Sequence, residues 1–100
     1  MQKEVKEKLE KVVELVNNDM VDPDIEIEYC IPEVETTSDT CDVSGEPYIL
    51  IKYAMSEYNV KTRKIRLGRT ALLNDAEKIS NMTTASIVEF KAEIDAGQIN

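Results

Sequence analysis

One hundred residues make one domain, and 42% of them are apolar, enough to fill one modest core. Twenty acids against twelve bases give a net charge of −8, and there is no histidine and no tryptophan. That composition excludes histidine-based catalysis and histidine-ligated metal, while three scattered glycines (Gly45, Gly68, Gly97) exclude a phosphate-cradling loop, which needs them clustered.

The N-terminal stretch MQKEVKEKLEKVVELV is charged at every second or third position and has no continuous apolar h-region. The longest apolar run is Tyr48–Ile51, far short of the ~20 residues of a membrane span. A soluble, cytoplasmic protein without membrane contact is expected. Cys30 and Cys41 are the two cysteines, and their spacing is neither a redox nor a zinc motif. Two reduced thiols are expected, with Cys30 on or beside a strand.

Val5, Leu9, Val12, Val13 and Val16 recur on one helical face, with Lys and Glu opposite. This first helix is expected to stop near Asn17-Asn18, before the Asp22-Pro23 turn. Residues 24–31 then alternate strictly. Ile25, Ile27, Tyr29 and Ile31 point one way, and Asp24, Glu26, Glu28 and Cys30 the other. Period two with β-branched residues predicts a half-buried strand, which Pro32 ends.

Residues 33–46 carry five acids (Glu33, Glu35, Asp39, Asp42, Glu46), no base and no periodicity. A long, mobile acidic loop is expected there. Residues 47–55 (PYILIKYAM) are apolar on both faces and predict a central strand. Residues 60–67 (VKTRKIRL) predict a third strand, antiparallel to the second and closed by Gly68. Thr70 is placed to cap a helix through Ile79, with a break at Ser80-Asn81-Met82. Thr83 or Thr84 would cap a last helix, with Gly97 at its C′ position. The expected fold is α+β, in the order α-β-β-β-α-α, with a three-stranded, mainly antiparallel sheet covered by helices on one face.

The charges are segregated. No lysine or arginine lies between Lys11 and Lys52, a stretch holding eleven acids. Residues 58–74 hold five bases (Lys61, Arg63, Lys64, Arg66, Arg69) and no acid. Same-face residues on a strand are ~6.8 Å apart, so Asp24, Glu26 and Glu28 would form an even row of carboxylates. A nucleic-acid backbone is also a regular line of negative charge. Extended by Glu33, Glu35, Asp39, Asp42 and Glu46, such a row suits the basic surface of a nucleic-acid-handling enzyme or regulator. The expected function is therefore a non-enzymatic acidic binding or inhibitor protein, a phage-type nucleic-acid mimic.

Plainer readings stand beside it. Outward strand faces carry charge for solubility and to blunt edges. The acids can also pair with the basic strand of the same molecule. A cation site at Asp39, Asp42 and Glu46 lacks the calcium-loop pattern, because Val43 stands where a ligand belongs. Direct nucleic-acid binding through Lys61, Arg63, Lys64, Arg66 and Arg69 is the alternative function. Against it, the last helix is acidic and would be repelled from a major groove, and the basic strand lacks interleaved aromatics. A third alternative is an oligomeric structural or adaptor subunit using the Tyr and Ile faces. No nucleophile–base–orienter set is visible, and no cofactor is expected.

Overall fold

The computed structural model describes residues 2–19, 22–38, 41 and 45–97. Helix α1 spans Lys3–Asp19 and strand β1 spans Ile25–Ile31. A two-residue strand β2, Glu35–Thr36, precedes β3, Tyr48–Ser56, and β4, Asn59–Arg66. A single turn of helix, α2 (Arg69–Leu72), leads into the long α3, Ala76–Asp95. The sheet is antiparallel throughout, with strand order β2-β1-β3-β4. It therefore has four strands rather than three. The additional strand is too short to show any hydrophobic period.

The helices lie on one face of the sheet. Alternation sends Tyr29, Ile31 and Ile49 toward Leu9, Val12, Val13 and Val16 of α1. Ile25 and Ile51 meet Ile87, Phe90 and Ile94 of α3 in a second cluster. Ile27 and Ile65 touch both clusters, so the core is one continuous layer. β3 is central, as its apolar sequence requires.

The C-terminal helices divide differently from the sequence expectation. The break falls at Leu73-Asn74, and α3 runs without interruption through Ser80-Asn81-Met82. Asp75, not a threonine, is the N-cap, accepting from the Lys78 backbone N–H at 2.8 Å. Thr83 and Thr84 do not cap, because their hydroxyls donate to the carbonyls of Ile79 and Ser80 one turn back. Gly97 does take the left-handed conformation expected past the helix end, with φ 78°. Asp75→Ala is expected to cost about 1 kcal/mol by orphaning that amide, measured as a lowered urea midpoint at unchanged m.

Tyr29 joins the sheet to α1. It is buried, and its hydroxyl donates to Asn17 Oδ1 at 2.8 Å. Burial first, and the nearby Glu35 charge second, push its phenol up to about 12. The folded state thus holds this proton more tightly than the unfolded chain, where tyrosine titrates near ~10. The stabilisation is whole below about pH 10 and is lost as pH rises toward about 12, at roughly 1.4 kcal/mol per pH unit within that window. Tyr29→Phe is expected to flatten this loss, read from unfolding curves across that pH range.

Candidate partner-binding surfaces

The side chains of β1, β3 and β4 that point away from the helices form an open face. Glu26, Glu28 and Cys30 stand on β1, beside Lys52, Leu50 and Tyr48 on β3. Thr62, Lys64 and Arg66 on β4 complete it. Asp24 and Glu26 are exposed, as expected. They line a shallow depression with Pro23, Lys52, Ala54, Val60 and Thr62.

The row of three carboxylates is not uniform. Glu28 is drawn down onto Lys52, whose Nζ lies 2.9 Å from its Oε2, and the Glu28 side chain is only 16% exposed. Asp24 lies 3.8 Å from Lys91 and stays 61% exposed. Lys91 is held more closely by Asp22, at 2.7 Å. Their hydrogen bond lowers the Asp22 pKa and raises that of Lys91.

The acids of β1 do not pair with the basic strand, because β3 lies between. Two inter-strand spacings separate β1 from β4, about 9–10 Å. Their partner within the sheet is Lys52 of the central strand.

The segment expected to be a mobile loop is in part built into the fold. Glu35 and Thr36 pair with Ile31 and Cys30. The Thr37 and Ser38 amides both donate to the Tyr29 carbonyl, and Ser38 is buried. Glu33 takes φ 71° in the tight turn that reverses the chain from β1 to β2. Glu33 and Glu35 are exposed at this edge of the sheet, and Glu35, opposite Ile31, stands on the helix-covered face. Asp39 and Asp42 lie outside the described residues, and with them the cation-site reading.

The expectation of two reduced thiols is overturned. Cys30 and Cys41 form a disulfide, with a Cα–Cα distance of 5.3 Å. Cys30 points to the open face, where the chain after β2 crosses back over it, and it is fully buried there. A sequence spacing of eleven residues carries no sign of that return path.

The bases of β4 divide between the two faces. Arg63 faces the helices, where its guanidinium binds Glu93 and stacks on the Phe90 ring at 4.9 Å. Lys61 shares that side and is half-buried. Lys64 and Arg66 face outward, with Lys64 Nζ 4.3 Å from the Tyr48 ring centre. Lys64 and Arg66 line a concavity with Gly45, Glu46 and Tyr48. Arg66 and Glu46 continue into a second concavity with Gly68 and Arg69. Glu46, expected to extend the acidic row, instead lies against Gly68 at this basic end. The sheet therefore has an acidic β1–β2 side and a basic β4 side.

Among the described residues, no three acidic or cysteine side chains gather as a metal-ligating group, and no helix is long and apolar enough to cross a membrane. Comparison of the chain with protein-family models, with curated proteins and with solved structures gives no match.

Proposed function

We propose that this is a non-enzymatic binding protein. Its acidic β1–β2 side engages the basic surface of a partner, of the kind that nucleic-acid-handling enzymes and regulators present. The observation that carries the reading is the exposure of Asp24 and Glu26 on the open face and of Glu33 and Glu35 at the β1–β2 edge of the sheet. The one lysine of the open face beside them, Lys52, is already held by Glu28. Exposed carboxylates project a field that steers a basic partner inward. In nucleic-acid mimicry, Asp24 and Glu26 supply exposed charges, Asp24 with Lys91 3.8 Å away, and Glu28 serves to position Lys52.

The test is capture with paired baits. Wild-type protein and D24K/E26K/E35K are each exposed to lysate of the source cells at low and high salt. Glu28 is left intact, since it holds Lys52. Wild type is expected to retain a basic protein at low salt. Both the triple variant and high salt are expected to lose it. Identical capture by the two baits would end the proposal.

A second reading is supported by the gathering of Lys64, Arg66 and Arg69 around adjoining concavities. These three are placed to contact phosphates. Anisotropy titration with duplex DNA separates the two readings. Negligible binding at physiological salt supports the acidic-face reading. Micromolar binding lost in K64E/R66E establishes the nucleic-acid reading.

The compartment follows from the cysteines. A bonded pair recovered with thiols trapped at lysis places the protein in an oxidising compartment, and a reduced pair places it in the cytoplasm.

A further inference from the structure

Among the described residues, the outer edge of β4 is open along its length. Leu67 N–H donates to Pro47 O at 2.8 Å, and the β3–β4 register carries that ladder onward. Hydrogen-bonded pairs in an antiparallel ladder alternate with non-bonded ones. They therefore fall at Ile49/Ile65, Ile51/Arg63 and Tyr53/Lys61. The backbone groups of Val60, Thr62, Lys64 and Arg66 then point outward, away from β3. The same alternation carried across the sheet turns the backbone of Tyr29 outward on β1, where it does bond Thr37. On β4 no described residue takes up the outward groups. Four N–H and four C=O groups line an edge of about 20 Å.

The side chains along this edge select what can pair with it. Val60, at its start, is 49% exposed, with Thr62 exposed next to it. Lys64 and Arg66 are exposed at its far end, and Arg69 follows in α2. No acid occurs between Glu57 and Asp75. An added strand lies ~5 Å away, where a like charge directly opposite is destabilising and an opposite charge is favourable. A second copy pairing through its own β4 would bring basic strand against basic strand. The acidic side of a second copy offers no matching line either, because β2 is only two residues long.

We infer that the β4 edge accepts an extended acidic peptide segment of another protein, which joins the sheet as a fifth strand. Carboxylates along one face of that segment lie opposite Lys64 and Arg66. The ladder of outward amides supplies affinity, and the charges set direction and choice of partner. This surface is separate from the acidic side and does not depend on it.

The probe is a fluorescein-labelled peptide of alternating Val and Glu, about ten residues long to match the edge. Its Val–Lys counterpart and a single-stranded DNA of equal charge serve as controls. The acidic peptide is expected to bind, and K64E/R66E to weaken it at least about ten-fold. Thr62→Pro is also expected to weaken it, since it removes an outward N–H and no bond to β3. Amide exchange read by NMR supplies the decisive signature. Saturating peptide is expected to slow exchange at Val60, Thr62, Lys64 and Arg66 at least about ten-fold, while Lys61, Arg63 and Ile65 are protected with or without it. Failure to bind would overturn the inference. So would binding without that protection, preference for the lysine peptide or for DNA, or the same protection from self-association.

Discussion

Replacing Phe90 with alanine is expected to be among the most damaging single changes, at about 3–5 kcal/mol. Phe90 is 1% exposed and sits where α3 meets the sheet, among Ile25, Ile51, Ile87 and Ile94. Its removal leaves a cavity that β1 and β3 cannot close without shifting the ladder. It also removes the ring on which the Arg63 guanidinium rests. For a domain of this size the loss lowers the melting midpoint by well over about 10 °C. Val88, two residues earlier, is 62% exposed, and Val88→Ala is expected to stay within about 0.5 kcal/mol. Guanidinium unfolding of the two variants checks the pair. Equal stabilities would contradict the helix-on-sheet core.

Reducing the Cys30–Cys41 bond is expected to cost about 3 kcal/mol. The bond closes a loop spanning eleven residues of sequence, and the chain-entropy argument gives that magnitude for a loop of this length. Cys41→Ser is the cleaner variant, since residue 41 is only half-buried. Cys30 is fully buried, so a serine there would add an unsatisfied hydroxyl to the lost bond. Unfolding curves with and without dithiothreitol are expected to differ for wild type and to coincide for Cys41→Ser. A wild-type midpoint indifferent to reductant would show that the bond adds nothing to folding.

What was legible in the sequence was whatever depends on local period. The alternation of Ile25, Ile27, Tyr29 and Ile31 gave β1 and its two faces. The run Tyr48–Ile51 gave the central strand, and the spacing of Leu9, Val12 and Val16 gave α1. What was hidden depends on contacts distant in sequence or on side chains with two uses. Ser80 reads as part of a helix break and Thr83 or Thr84 as a cap, yet α3 runs through all three and Thr83 and Thr84 satisfy their hydroxyls within it. β2 is held by pairing with Cys30 and Ile31, not by any pattern of its own.

The candidate site divides in the same way. The acidic row and the basic strand were visible as charge patterns. The withdrawal of Glu28 onto Lys52 needed the β1–β3 register, across 24 residues of sequence. So did the separation of Arg63 from Lys64, because facing helix or solvent is a property of the assembled sheet. The disulfide was missed because composition spoke only to compartment, whereas the path after β2 brings the two sulfurs together.

The acidic side's role is tested most directly by the rate at which the captured basic partner associates, followed by stopped flow from low to high ionic strength. Electrostatic steering makes that rate fall steeply with salt, while rates set by apolar fit barely move. The wild-type protein is expected to lose at least about ten-fold in association rate across the range, and D24K/E26K/E35K to start slow and stay flat. A rate that ignores salt, or that survives the reversal of Asp24, Glu26 and Glu35, would contradict the assignment of the β1–β2 side as the partner-binding surface.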